Sequence, residues 1–457
     1  MKSTLSRRGF LKSMGGLALG LVSARLSNLT FASPSAASGF NQEVLVIIFL
    51  RGGWDALNVV LPISGADYNF YAQARPNLKV PLTGANAAIN LDGQFGLHPA
   101  MSPLHNLYQS QKLAFIHATG LAADTRSHFD AQMFIELGTP GVKSTSSGWL
   151  ARLAQNTPNQ PPAPPMPALS VGGSQPMALD GITNAITMYD PTSFVLNGNW
   201  QYEMAQRAAL RDLYSGSSWL ETAGTDTLNM VDLIESANPG SYVPANGAAY
   251  PQGDLGNSLQ TLAQMIKLQL GLRVATVDVG GWDTHKYQGD GGSGYLASSM
   301  LAPLARGLEA LYTDLDGGCG ANYTKNLTIV VMSEFGRRLK ENANHGTDHG
   351  HGSLQMILGG SVNGGKIFGA WPGLNNDQLY DKADLAVTTD FRSVLSEIAS
   401  HRLDIQDQTI LFPGFASYTP LGFIQNAYPQ AGIPPGHTPR LMLPSIQSQT
   451  EPAPACK

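Results

Sequence analysis

Short apolar runs bounded by turn residues recur along the chain and alternate with segments of helical period. Residues 44–50, 112–117, 273–279, 328–332 and 355–358 are near-continuous apolar stretches of strand length. Residues 127–136, 149–155, 201–214, 259–270, 301–314 and 391–401 show the 3.6-residue spacing of helices that bury one face. Strands apolar on both sides, separated by such helices, predict an α/β fold around a mostly parallel sheet. The proline-dense stretch 157–167 and the Gly-, Pro- and Asn-rich stretch 237–257 are predicted loop insertions.

In open α/β sheets ligands bind beyond the carboxyl ends of the strands. An unusual polar cluster adjoins each strong run here. Arg51-Gly52-Gly53-Trp54-Asp55 follows the first, and Arg126-Ser127-His128-Phe129-Asp130 comes shortly after the second. Gly280-Gly281-Trp282-Asp283-Thr284-His285 follows the third, and Ser333-Glu334-Phe335-Gly336-Arg337-Arg338 the fourth. The segment from Asn344 to Gly352 leads into the fifth and contains Asp348-His349-Gly350-His351.

Residues i and i+2 of an extended chain point the same way. Asp283 and His285 can therefore reach one cation together. So can His349 and His351, with Asp348 directed to the other side. Asp55, Asp283, His285, Glu334, Asp348, His349 and His351 offer four carboxylates and three imidazoles, more than one mononuclear site uses. Two divalent ions about 4 Å apart would use them, an arrangement suited to in-line displacement. The mixed donors suit zinc, manganese or iron, and carboxylates alone suit magnesium or calcium. One or two ions are expected, with their identity open. Asp55 also reads as a helix cap and Glu334 as a partner of Arg337 or Arg338. His98, His105, His401 and His437 read as ordinary surface or core residues, His117 is undecided, and His345 reads as a ligand or a partner of one.

Ser127 has three open readings: nucleophile, helix cap or metal ligand. A serine at a helix N-terminus sits in positive potential that favours an alkoxide and a bound oxyanion. Arg126 and Arg51 are candidates to hold the oxygens of an anionic group, with Arg337 as a third.

The N-terminus adds an address. Ser6-Arg7-Arg8-Gly9-Phe10-Leu11-Lys12 precedes an apolar run at 14–22 and a small-residue stretch at 32–38, the pattern of a twin-arginine signal over residues 1–37. The run is shorter than the roughly 20 residues a membrane span needs. Export of a folded protein to the periplasm or beyond is expected, with the twin-arginine translocase as transient partner. Loss of residues 1–37 removes five of the 28 basic residues and no acidic one, taking the net charge from -5 to -10. That disfavours nucleic acid and anionic membrane as partners. No later segment reads as an integral membrane helix. Cys319 and Cys456 are too few for a disulfide framework, and whether they pair is open. The expected organisation is a signal at 1–37, one catalytic-type domain at 43–425 and a Pro-rich tail at 430–457.

The motifs Gly52-Gly53-Trp54-Asp55, Arg126-Ser127-His128-Phe129, Gly281-Trp282-Asp283-Thr284-His285, Ser333-Glu334-Phe335-Gly336-Arg337 and Gly346-Thr347-Asp348-His349-Gly350 resemble those of the exported "domain of unknown function" family numbered 1501. The resemblance runs from about residue 43 into the early 400s. It implies an alkaline phosphatase-like three-layer sandwich, in the superfamily of sulfatases, phosphodiesterases and cofactor-independent phosphoglycerate mutases. It also implies Asp55 as a ligand beside the nucleophile, Ser127 as the nucleophile position, Asp283 and His285 as ligands of the other metal, and His351 as the last histidine ligand. The superfamily usually spaces the aspartate–histidine pair at i and i+4 and has a histidine where Phe335 stands. The implied activity is hydrolysis of a small anionic ester, a phosphate or sulfate. The alternative is a non-enzymatic, metal-stabilised exported protein acting with a co-exported partner.

Overall fold

Nine strands build the main sheet: β1 (Val44–Leu50), β2 (Leu113–Gly120), β3 (Ala168–Val171), β4 (Ala185–Met188), β5 (Val274–Val279), β6 (Leu327–Met332), β7 (Ser353–Gly359), β8 (Ile367–Phe368) and β9 (Thr389–Asp390). They belong to a computed structural model that describes residues 43–158, 160, 164–198, 200–317 and 321–427. The predicted signal at 1–37, Cys319, Cys456, His437 and the tail at 430–457 lie outside the described residues.

The strand order is β8-β2-β7-β6-β1-β5-β3-β4, with β9 beside β2. β7 runs antiparallel to both β2 and β6, and every other pairing in this sheet is parallel. β1 lies between β5 and β6 and is buried at all seven positions. Its side chains alternate between two cores, as the period of two requires. Val44, Val46, Ile48 and Leu50 enter one core, which α5 (Asp254–Lys267) and α6 (Ala302–Leu315) cover. Leu45, Ile47 and Phe49 enter the other, covered by α1 (His128–Leu137), α2 (Trp149–Asn156) and α7 (Phe391–Leu403). This is a three-layer α/β architecture with a mostly parallel sheet. Truncating a β1 core residue such as Ile48 to Ala costs about 2–5 kcal/mol.

An 18-residue helix, α4 (Trp219–Ser236), lies outside the predicted helices. It is rich in Thr and contains Gly224, which weaken its intrinsic propensity, but a capping box between Ser218 and Glu221 starts it. It pairs with α3 (Glu203–Leu213) through Arg207, which reaches Asp232 and Glu235.

The topology fixes where chemistry collects. β1, β2, β5 and β6 all end at one rim, and the reversed β7 begins there. Five polar loops therefore meet at one edge. A hairpin of Arg337–Glu341 and Thr347–His349 folds over the same edge.

Candidate metal centre

Four side chains converge at this rim: His128, Asp283, His285 and His349. The Nε2 atoms of His285 and His349 each lie 3.1 Å from Asp283 Oδ1 and 2.9 Å from each other. His128 Nε2 lies 3.5 Å from the same oxygen. The ligand atoms of His128, Asp283 and His349 all fall within 4.8 Å of one another. Ligands about 2.0–2.1 Å from a tetrahedral ion stand roughly 3.3 Å apart, close to the spacing found.

Each ring is fixed from behind. His349 Nδ1 lies 2.8 Å from the Arg126 carbonyl, which can only accept, so Nδ1 donates. His285 Nδ1 donates to Asp348 at 3.0 Å, and His128 Nδ1 donates to Glu334 at 2.7 Å. In a neutral ring this leaves each Nε2 with a lone pair. Three such lone pairs and a carboxylate facing one another repel unless a proton or a metal ion sits among them. Carboxylate and carbonyl partners behind imidazoles are the usual support of metal-binding histidines. His128 Nε2 is also buried without a hydrogen-bond partner. The residues therefore fit a divalent ion.

Charge at the site follows from these contacts. Burial alone would raise the Asp283 carboxyl, but the Arg337 guanidinium at 2.7 Å and the imidazoles of His349 and His285 outweigh it and hold the carboxyl at about 2. Burial lowers His349, against the hydrogen bonds to the Arg126 carbonyl and Asp283 that raise it. The bond to Glu334 raises His128 and makes it the more basic donor. Burial works against the Glu334 charge, yet His128 and Gln132 bring the carboxyl below its usual range. The hydrogen bond from Asn342 does the same for Asp348.

The loops are held by close backbone approach and by one buried cation. Gly52, at φ +127°, lies so near the Asp283 amide that a Cβ would strike it. Arg337 is fully buried, and its guanidinium reaches the carbonyls of Gly52, Gly53, Trp282 and Thr347 as well as Asp283. It ties the loops after β1 and β5 to the hairpin.

The other sequence candidates stand behind, beside or away from this cluster. Asp55 is buried against Arg75 at 2.6 Å and receives Gln288 Nε2 at 2.5 Å. Arg51 pairs with Glu136 and, at 2.8 Å, with Asp278. The Arg126 guanidinium pairs with Asp384 at 2.7 Å and Asp381 at 3.2 Å. His351 stacks on Tyr380 with ring centroids 4.2 Å apart. His349 and His351 part because Thr347–His349 ends the hairpin, and the chain turns at Gly350, whose amide donates to the Gly336 carbonyl. Glu334 and Asp348 stand behind His128 and His285. Ser127 is exposed and caps α1, accepting the Asp130 amide at 3.4 Å, one residue from His128. His128 was missed as a ligand candidate because it is a single histidine opening a helix. Its place directly after Ser127 at a strand-to-helix junction was the available signal.

The family described as "Protein of unknown function (DUF1501)" matches residues 42–410. No curated protein matches the sequence. Among solved structures the chain is similar to the C-terminal periplasmic domain of EcEptC from Escherichia coli, at 12% identity and TM-score 0.35, covering 87% of this chain and 94% of that one. It is also similar to the phosphonate monoester hydrolase of Agrobacterium radiobacter, at 10% identity and TM-score 0.31, covering 83% and 78%. No helix among the described residues is long and apolar enough to cross a membrane.

Proposed function

The chain belongs to the DUF1501 family, and from that premise we propose that it is an exported, metal-dependent hydrolase of phosphate or sulfate esters with an alkaline phosphatase-like site. The observation that carries this reading is the inward-facing set of His128, His285 and His349 Nε2 atoms around Asp283 Oδ1. An imidazole-rich set favours zinc, manganese or iron over magnesium or calcium, which prefer oxygen. The leader-like pattern before residue 38 supports export of the folded protein to the periplasm.

When bound, the ion would supply Lewis acidity toward the ester oxygen and help deprotonate the attacking group. The protein's own parts do the rest. Glu334, Asp348 and the Arg126 carbonyl orient the rings. Arg337 keeps Asp283 ionised and in place. Ser127 is the proposed nucleophile. It sits beside His128 at the N-terminus of α1, where backbone amides favour an alkoxide and an anionic ester oxygen. Its attack on the central atom forms the new Ser127 Oγ bond, breaks the bond to the leaving alcohol, and passes a proton to that alcohol. Water then reverses the exchange and frees the acid.

The test is elemental analysis of the purified protein, followed by turnover of aryl phosphate, phosphodiester and sulfate substrates by wild type, Ser127→Ala and His349→Ala. Bound metal is expected, with turnover lost in both variants. A protein that takes up no zinc, manganese or iron sinks the reading. Activity retained in Ser127→Ala removes the serine and leaves direct attack by water.

A second reading, assembly with a co-exported partner, is favoured by exposed apolar side chains on the helical pair: Met204, Leu213, Trp219 and Leu220. If it holds, Trp219→Glu abolishes co-purification with a partner and leaves metal content unchanged.

A further inference from the structure

The loop after β5 carries Asp283 and His285, and the hairpin carries His349. A backbone seam joins them. The Thr347 amide donates to the Thr284 carbonyl at 3.1 Å, and the Gln288 amide to the His345 carbonyl at 2.8 Å. Thr284 sits between Asp283 and His285, and Thr347 stands two residues before His349. The side chain of Gln288 crosses this seam. It is 1% exposed, and its Oε1 lies 2.9 Å from both the Thr284 and the Thr347 hydroxyls. Its Nε2 reaches Asp55 Oδ2, in the loop after β1, at 2.5 Å.

The direction of these bonds is forced. The Arg75 guanidinium can only donate, and Asp55 Oδ2 accepts from it at 2.6 Å. The same oxygen accepts from Gln288, which turns the amide nitrogen toward Asp55 and the amide oxygen toward the threonines. Both hydroxyls then donate to that oxygen. Arg75 is itself held by the Arg338 and Leu339 carbonyls of the hairpin. Each group thus fixes the next, from Arg75 through Asp55 and Gln288 to the two threonines. All five side chains belong to buried residues. A buried polar network is costly when only partly satisfied, so this one specifies a single arrangement.

Support for a metal ligand commonly bonds to the ring itself, as Glu334 and Asp348 do here. Gln288 bonds instead to residues beside the ligands. We propose that Gln288 is a positioning residue of the metal centre: by holding the Thr284 and Thr347 hydroxyls to one oxygen, it sets Asp283 and His285 in register with His349. The proposal rests on the metal-dependent reading above. Errors of about 0.5 Å in where ligands project are enough to loosen such a site. Asp55, placed too deep to join the imidazoles, then serves the centre by orienting Gln288. A side chain that only filled this space would stabilise the fold and leave the metal affinity of the folded protein unchanged.

The experiment measures zinc affinity by chelator competition and the visible absorption of the cobalt(II)-loaded protein. Gln288→Met keeps the length of the side chain and removes both its donor and its acceptor. It is expected to weaken zinc at least about tenfold and to shift the cobalt bands. Thr347→Val should weaken zinc severalfold, and Thr347→Ser, which keeps the hydroxyl, should match wild type. In the Gln288→Met background Thr347→Val should cost nothing further, because its effect passes through Gln288. Leu262→Ala, a cavity in the core covered by α5 and α6, is the stability control and should leave zinc affinity unchanged. Gln288→Met with wild-type affinity and spectrum, additive losses in the double variant, or an equal loss in Leu262→Ala overturns the proposal and leaves the metal reading standing. If Gln288→Met does not fold, wild-type affinity in Thr347→Val overturns it. A wild-type protein that binds neither metal overturns the metal reading, and this proposal with it.

Discussion

The same tetrapeptide, Gly-Gly-Trp-Asp, follows two neighbouring parallel strands, β1 and β5, and its two aspartates have opposite fates. Trp54 and Trp282 meet edge to face, with centroids 5.9 Å apart. Asp55 turns inward, is 1% exposed, and is matched by Arg75, whose side chain is also fully buried. Asp283 remains about half exposed and faces three imidazoles and the edge of Arg337. A buried carboxylate needs a paired cation with further hydrogen bonds. Arg75, Gln288, Asn58 and the Arg338 and Leu339 carbonyls form that network. A half-exposed carboxylate surrounded by neutral nitrogen donors is instead suited to share an ion. Local sequence therefore does not decide between anchor and ligand. What lies across the rim does.

The largest effect should come from breaking the anchor. Arg75→Met leaves Asp55 buried and unpaired and should cost about 3–5 kcal/mol of stability, read by urea unfolding. A loss below about 1 kcal/mol would mean that Asp55 is not held by this pair. On the other side, His349→Ala should weaken zinc binding by more than about 100-fold, measured by competition with a chelator. The melting temperature of the metal-free protein should fall modestly, because the ring packs on Phe335 and donates to the Arg126 carbonyl. Asp348→Ala removes the support of His285, together with the Asn342 hydrogen bond, and should weaken zinc by about 10- to 100-fold. If it matches His349→Ala, Asp348 is itself a ligand.

Histidines divide in the same way, and pH separates them. His117 is buried between Phe95 and Trp371, and burial alone pushes it down to about 3. The unfolded chain takes up a proton near pH 6.5 that the folded ring refuses, so stability is complete above that value. It falls by about 1.4 kcal/mol per pH unit as pH drops from roughly 6 toward 3. Unfolding of wild type and His117→Phe compared between pH 7 and pH 4 should show the variant losing less. Equal losses would show that His117 is protonated in the fold.

Sequence alone determined much of the frame. Val44–Leu50 reads as a central strand because a seven-residue apolar run has no solvent-facing register. Polar clusters after the strands indicated which rim would hold chemistry, and the family resemblance covered the same residues that the family match covers. The fold left other matters to contacts distant in sequence. Asp55 and Arg75 are joined across a helix, Glu334 and His128 across 206 positions, and His285 and His349 through a hairpin that folds over the rim. Spacing within a loop says which side chains can point together. It cannot say which cation, carbonyl or ring stands opposite, and here that opposite group decides whether an aspartate stabilises the core or joins the imidazoles.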